Sequence, residues 1–428
     1  MFIKKFKEGK DRIFSGAVIV TAGMLTGSFF SYLLQFFLGR MLSVEDYGTF
    51  NALLSLSYII GVPSTVLGTA AIKVSSEMFA KEKHEELTAL FWRLTKYFFI
   101  LGLFLFGAMA LLRNVLSEIL NISDAYLFIS YGLFLGLSYL VVTPAAYLQG
   151  MLRFGAFSFY TVVNSVLRFT FPVILVYLGF RVGGVFWGMI DGLLVAFVIT
   201  LLILRKNFVK YDEVNLSPAL KRLLMFSLPV LLVNTGLMLL NNLDMVLVKR
   251  YFDPTLSGYY AGAVTLGKIL LFGTITIVVI MFPKISALYT KKESYTNIFR
   301  ELLFLQILLV LGGVLFYVFF PGFITTLFFG ERFAHSILYV PPYAVFIGLY
   351  VLVRFMVMFF LAIEKTKVAF FLIPAAVIQL ILISLFHRDL FQVIHICSIV
   401  TAALLISLFV YAGFSNRACV QAGKNNLK

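Results

Sequence analysis

The sequence predicts an all-α polytopic membrane protein, with 12 transmembrane helices in two parallel six-helix repeats around a central cleft. Three observations lead there. Apolar residues make up 61% of the chain and charged residues 13%, a balance that soluble domains of this size do not approach. Apolar runs long enough to cross a bilayer, which takes about 20 residues, recur along the whole chain. The stretch RMLSVEDYGTFNALLSL, from Arg40, returns as RYFDPTLSGYYAGAVTL, from Arg250.

The runs divide into spans at roughly 14–38, 47–72, 90–112, 125–150, 156–179, 183–204, 223–248, 257–283, 299–320, 334–361, 367–386 and 391–413. Hydrocarbon offers no partner to an unpaired backbone group, so spans of this length are helical. The first follows a basic segment, as a secretory leader would. The run from Ile13 to Leu38 is too long for a leader and lacks a small-residue cleavage site, so it is expected to remain as span 1. Pro63, Pro144, Pro172, Pro229 and Pro374 fall inside spans and are expected to kink or interrupt them. Aromatic residues, 17% of the chain, are expected mainly on lipid-facing and packing surfaces, with Tyr259, Tyr260 and Tyr343 in the belts at the membrane interfaces.

A net charge of +15 in a soluble protein would suggest nucleic acid. Here its distribution reports topology instead. Twenty-five Lys and Arg residues precede span 1 or follow even-numbered spans, from Lys4, Lys5, Lys7, Lys10 and Arg12 to Arg417, Lys424 and Lys428. Seven lie on the other side: Arg40, Arg113, Arg181, Lys249, Arg250, Arg332 and Arg388. The positive-inside rule then places both termini in the cytoplasm, and no nucleic-acid partner is expected. Cys397 and Cys419 build neither a disulfide framework nor a metal-ligand spacing; no metal and no cofactor are expected.

Aligned without a gap, Arg40 falls on Arg250, Gly48 on Gly258, Phe50 on Tyr260 and Leu56 on Leu266. Phe14-Ser15 resembles Phe226-Ser227, and YLQGMLRFGAF after span 4 has a counterpart, FLAIEKTKVAF, after span 10. The offset drifts between about 210 and 214, as an old duplication with small insertions would. Each half holds an even number of spans, so the halves share one orientation, an arrangement found in transporters. The expected organisation is a six-helix lobe over 1–204, a cytoplasmic interfacial linker over 205–222, a second six-helix lobe over 223–413 and a cytoplasmic tail over 414–428. Within the linker, Ser217-Pro218 reads as a helix start, Ser capping and Pro in the first turn.

Three stretches carry a family resemblance: Arg40–Glu77, Tyr147–Phe157 and Asn241–Lys268, the last with an Asp, then a Gly-Tyr pair, then an Ala-rich helix. On these, together with the span count, the whole chain resembles the multidrug/oligosaccharidyl-lipid/polysaccharide (MOP) flippase superfamily, in particular its Wzx-type polysaccharide-exporting branch. The resemblance implies a MATE-like fold, residence in the cytoplasmic (inner) membrane, and a flippase rather than an enzyme. Its cargo would be a polyprenyl-diphosphate-linked oligosaccharide, carried from the inner to the outer leaflet by alternating access. Implied partners are that lipid-linked oligosaccharide, membrane lipids, H+ or Na+ as a candidate coupling ion, and the glycan polymerase machinery as a candidate contact. The lipid II flippase branch, MurJ, typically has fourteen spans, which disfavours lipid II as substrate. The alternative is a MATE-type cation-coupled multidrug antiporter, a branch with twelve spans but more often an acidic cavity.

Five ionisable residues lie well inside spans: Arg168, Asp191, Asp244, Lys268 and Arg354. Each costs roughly 2.5–3.5 kcal/mol at a helix centre and so needs a partner or a wet cavity. Arg168 and Lys268 fall near the midplane, about 18 Å from a span end at 1.5 Å per residue. A diphosphate leaving water needs fixed cations, and the balance of three cations to two anions suits it. Arg168, Lys268 and Arg354 are therefore candidate substrate-binding residues. Asn164, Asn234, Asn241 and Gln35 join them on polar helix faces. A structural alternative stays open beside this one: Arg168 is within reach of Asp191 as an intramembrane pair, and the amides serve interhelical hydrogen bonds. Asp191 and Asp244 are candidate ion-coupling or structural partners. An enzyme acting on the same glycans would need a general base or metal-binding carboxylates at the surface. The outer loops are short, and His84, His335, His387 and His395 have no evident catalytic partner. Asp212-Glu213 has no glycine-rich phosphate loop nearby.

Overall fold

The computed structural model describes residues 2–211 and 214–425, with side chains between residues 19 and 413 other than 212, 213 and 226. The side chains of Lys4, Lys5, Lys7, Lys10, Arg12, Phe14, Ser15, Asp212, Glu213, Phe226, Arg417, Cys419, Lys424 and Lys428 therefore lie outside the described residues. The α-helices are α1 (Phe2–Met41), α2 (Val44–Ile60), α3 (Val62–Ala80), α4 (His84–Leu111), α5 (Arg113–Ile119), α6 (Leu127–Leu140), α7 (Val142–Gly150), α8 (Phe154–Tyr177) and α9 (Arg181–Leu204). The second half supplies α10 (Ser217–Tyr251), α11 (Pro254–Gly273), α12 (Ile275–Thr290), α13 (Thr296–Phe319), α14 (Pro321–Phe329), α15 (Val340–Ala362), α16 (Ala369–Leu385) and α17 (Leu390–Asn425). Among the described residues, 11 helical segments are long and apolar enough to cross a membrane, and 12 if α2 and α3, bent by 45° across Gly61, form one broken span. They follow the expected spans in order, and α10 starts at Ser217 as its Ser-Pro signal predicts.

By packing, the chain forms two compact units. The first holds residues Met1–Tyr47 and Ile60–Leu228. In it α8 packs along both α1 and α9, α4 along α6, and α3 along α7. Gly102 and Gly136 let α4 and α6 meet backbone to backbone: a Cβ on either would lie 2.5 or 2.6 Å from the other's carbonyl oxygen. Such close approach of small residues is how helices gain packing where lipid gives no hydrophobic drive. The linker rests on this unit, with the Phe208 ring 4.8 Å from Phe91 and 5.4 Å from Trp92.

The second unit holds Gly48–Ile59 and Pro229–Lys428. Here α15 is the central helix, packed against α11, α12, α13 and α17, with α16 against α17. Most of its side chains are apolar and buried, as a central helix requires, with Arg354 the charged exception.

The repeat is visible in the backbone. α2 and α11 start 210 residues apart, each behind a capping side chain: Ser43 Oγ accepts from the Asp46 N–H at 3.2 Å, and Asp253 Oδ1 from the Thr255 and Leu256 N–H groups at 2.7 and 3.2 Å. Besides Asn121 after α5, four helix ends close with one non-glycine residue in the left-handed region. They form two pairs, Glu82 with Lys292 (φ 57° and 58°) and Leu152 with Glu364 (φ 55° and 59°). Each carries the two hydrogen bonds of a Schellman turn, for example Lys83 N–H to the Met78 carbonyl and Glu293 N–H to the Leu288 carbonyl. Holding an L-residue at positive φ has a cost, so its recurrence at matched places marks inheritance rather than chance.

Of the five prolines, Pro63 lies in the first turn of α3 at the bend and Pro144 just after the α6/α7 break, while Pro172, Pro229 and Pro374 sit inside helices that they do not interrupt. Two sequence expectations need correcting. Lys249, counted with the outer-loop cations, is in α10 and 1% exposed. Tyr260 and Tyr343 are not belt residues; both are fully buried.

Candidate substrate and ion sites

Lys268 lies on α11, where its ammonium meets Asn242 and Tyr58 within the second unit. Nζ donates to Asn242 Oδ1 at 3.0 Å and sits 5.2 Å from the centre of the Tyr58 ring. Asn242 is fixed from behind, because its Nδ2 donates to the Met238 carbonyl at 3.0 Å. An amide whose nitrogen is engaged in the helix presents its oxygen outward. Amide and ring are both neutral, and the countercharge that acts on the ammonium is the Asp244 carboxylate of the same unit.

Asp244, two residues further along α10, is wholly buried. Its Oδ2 accepts from Tyr260 Oη at 2.7 Å and from Tyr343 Oη at 3.3 Å, while Oδ1 is buried and accepts no side-chain hydrogen bond. Gln379 Nε2 donates to the Leu240 carbonyl at 3.2 Å and approaches Cys397 Sγ at 3.5 Å. The Oε1 of Gln379, the Oδ1 of Asn241 and the Oγ1 of Thr401 are further buried polar atoms without a hydrogen-bond partner among the described residues. A wholly buried carboxylate is costly unless something offsets its charge, and the Lys268 ammonium acts on this one. No group of three or more His, Cys, Asp or Glu suited to a metal occurs among the described residues.

The remaining sequence candidates are dispersed. Arg168, half-buried on α8, lies over the Phe134 ring at 5.7 Å. Asp191 is exposed on α9 and is not a member of the Lys83–Glu86, Arg181–Asp46 or Arg222–Glu77 ion pairs. Asn164 has a buried Oδ1 without a partner. Gln35 accepts from Tyr47 Oη at 2.9 Å, and Asn234 is turned into its own helix, donating to the Val230 carbonyl at 2.8 Å. Arg354 is half-buried on α15. Sequence reasoning did not single out Tyr58, Asn242 or Gln379, and it read Tyr260 and Tyr343 only as belt aromatics. The repeat alignment held a usable signal for one of them, because Tyr58 and Lys268 are 210 residues apart and occupy equivalent places.

Residues 37–338 match the family described as Polysaccharide biosynthesis protein. The chain belongs to that family. Among curated proteins none matches it, whereas solved structures do. An inward-facing multidrug resistance MATE family transporter of the MOP superfamily shares 14% identity over 95% of this chain and 99% of its own, with a TM-score of 0.76. The lipid II flippase MurJ in an inward closed conformation shares 13% over 92% of this chain and 87% of its own, with a TM-score of 0.71. A MOP superfamily transporter from Pyrococcus furiosus shares 15% over 95% and 96%, with a TM-score of 0.60. This polysaccharide biosynthesis protein thus has the MOP transporter and flippase fold, and is a multi-pass integral membrane protein.

Proposed function

We propose that this polysaccharide biosynthesis protein is a flippase. Its cargo is a polyprenyl-diphosphate-linked oligosaccharide, the repeat unit of a cell-surface polysaccharide, moved from the inner to the outer leaflet of the cytoplasmic membrane by alternating access. The observation that carries this reading is Lys268, a cation midway along a membrane-spanning helix and seated on a neutral amide and an aromatic ring. Burying charge in a membrane is expensive and is retained where it serves a pathway. A cation held inside a membrane span is suited to an anionic headgroup. Arg168 and Arg354 are assigned to the same cargo, with Asn164, Asn234, Asn241 and Gln35 to its polar parts.

Moving about two negative charges outward against an inside-negative potential is favoured by about 4–5 kcal/mol per 100 mV, so the potential itself biases export. If a coupling ion, H+ or Na+, is used as well, Asp244 with its unengaged oxygen is the stronger candidate and exposed Asp191 the weaker. Both termini are assigned to the cytoplasm, and contact with the glycan polymerase machinery belongs to the same proposal.

Cells lacking the protein should accumulate lipid-linked repeat units on the cytoplasmic leaflet and lose the surface polymer. Wild type should restore export, and Lys268→Ala, present in the membrane at the same level, should not. Unchanged glycan export alongside altered resistance to cationic drugs would replace this reading with multidrug antiport.

A further inference from the structure

The second unit holds an open cavity of about 560 Å3 at the turn from α16 into α17, with Arg388, Asp389, Gln392, His395, Ile396 and Ile399 in its walls. The charged pair lies in the loop before α17, and positions 392, 395, 396 and 399 share one face of that helix. His395, which has no evident catalytic use in the sequence, is exposed here within a membrane span. The same face continues through Ile399 and Ile406, both apolar and exposed, and so meets acyl chains. An ionisable side chain at such a place is costly and marks a functional site. We propose that this cavity binds a phospholipid with a phosphoethanolamine headgroup, taken from the leaflet opposite the C-terminal end of α17.

A reciprocal cap builds the polar end of the cavity. Asp389 Oδ1 accepts from the Gln392 N–H at 2.7 Å, and Gln392 Oε1 accepts in return from the Arg388 N–H at 2.8 Å. The cap fixes the loop over the helix start and decides which atoms are left for a ligand. Gln392 spends its oxygen and keeps its Nε2 donors, and Asp389 spends one carboxylate oxygen of two. Arg388 enters the cap through its main chain, not its guanidinium. The guanidinium fork and the amide suit a phosphate, and the second Asp389 oxygen suits an ammonium. His395 lies about 8 Å below the cap at 1.5 Å per residue, where an interfacial layer of roughly 5–8 Å gives way to hydrocarbon. Ester groups sit at that level, and imidazole offers them a donor. Ile396 and Ile399 then line the start of an acyl chain. Charge selects the headgroup: a cation beside an anion matches a zwitterion. A glycerol headgroup would leave Asp389 without a counter-charge, and choline has no N–H to give it.

The test is lipid binding by the full-length protein, delipidated in detergent and offered equal amounts of phosphatidylethanolamine, phosphatidylglycerol and phosphatidylcholine. Native mass spectrometry reads the bound lipid, and melting temperature is followed with each lipid alone. Wild type should retain the ethanolamine lipid over the other two and melt higher in its presence. Arg388→Ala removes the guanidinium but keeps the capping N–H, and should weaken that binding about twofold to fivefold, the range of one exposed charge contact. His395→Leu should weaken it to a similar extent, with the lipid-free protein as stable as wild type. Asp389→Asn is the sharpest variant, because it keeps the cap acceptor and removes only the charge; the glycerol lipid should then bind as well as the ethanolamine one. Equal retention of all three lipids by wild type would overturn the proposal, as would an unchanged preference in Arg388→Ala and Asp389→Asn. Displacement of the ethanolamine lipid by undecaprenyl diphosphate, lost in Arg388→Ala, would overturn it in favour of an exit site for a prenyl-linked cargo.

Discussion

Gly48 and Gly258 occupy the same place in two halves of the chain, 210 residues apart, and they pack backbone against backbone. A Cβ on Gly48 would lie 2.7 Å from the Gly258 amide nitrogen and 2.9 Å from its Cα. The obstacle is main chain rather than a flexible side chain, so neither position accepts a side chain without separating α2 from α11. Gly48→Leu should therefore destabilise the detergent-solubilised protein by about 1–3 kcal/mol, the usual cost of overpacking, seen as a lower melting temperature. Gly107, with open space around its Cβ position, supplies the control, and Gly107→Leu should leave melting unchanged.

The Asp244 carboxylate depends on its two tyrosines. Tyr260→Phe removes the 2.7 Å bond and leaves Tyr343 at 3.3 Å. A buried acceptor that loses its main donor costs about 1–3 kcal/mol, so thermal stability should fall, and further in Tyr260→Phe/Tyr343→Phe. Asp244→Asn keeps the shape, removes the charge and should be tolerated far better than either tyrosine change. If Asp244 also serves coupling, Asp244→Asn should abolish the dependence of transport on an ion gradient while substrate binding persists.

Arg168 and Lys268 differ in how they are held, and their variants should differ accordingly. Lys268→Arg retains the charge but not the fit to Asn242, and transport should be reduced rather than lost. Arg168→Ala removes a guanidinium stacked over Phe134; transport should be lost with the protein still inserted and folded. A fall in stability partly rescued by Asp191→Ala would instead make Arg168 a structural ion-pair member.

Pro63 lies in the first turn of α3, where α2 and α3 meet at 45°. A proline there lacks an N–H that a straight helix would use. Pro63→Ala permits that bond, so expression and melting should be preserved or slightly improved while transport slows. Unimpaired transport would show that the bend does not depend on the proline.

The twelve spans, the duplication and the start of α10 at Ser217 were legible because each rests on local chemistry: apolar length, matched glycines and a Ser-Pro cap. The site was legible only in outline. Lys268 could be found from the cost of a charge inside a span, but its partner could not. Sequence reasoning selected Asn241, whereas Asn242 meets the ammonium, and one residue is about 100° of helix rotation. Tyr260 and Tyr343 look from sequence like interfacial aromatics. Burial around a carboxylate gives their hydroxyls a different use. Lys249 was misplaced for a related reason: hydropathy ends a span at the first charge, but the helix continues to Tyr251 and buries that lysine.

The central claim is that this polysaccharide biosynthesis protein carries an anionic lipid-linked glycan across the bilayer. The most direct measurement is movement of a fluorescent polyprenyl-diphosphate oligosaccharide across proteoliposomes, with wild type beside Lys268→Ala and a drug-antiport assay on the same vesicles. Protein-dependent translocation that is lost in Lys268→Ala, without drug antiport, is the predicted result. Cation-driven drug antiport with no movement of the lipid-linked glycan would contradict it.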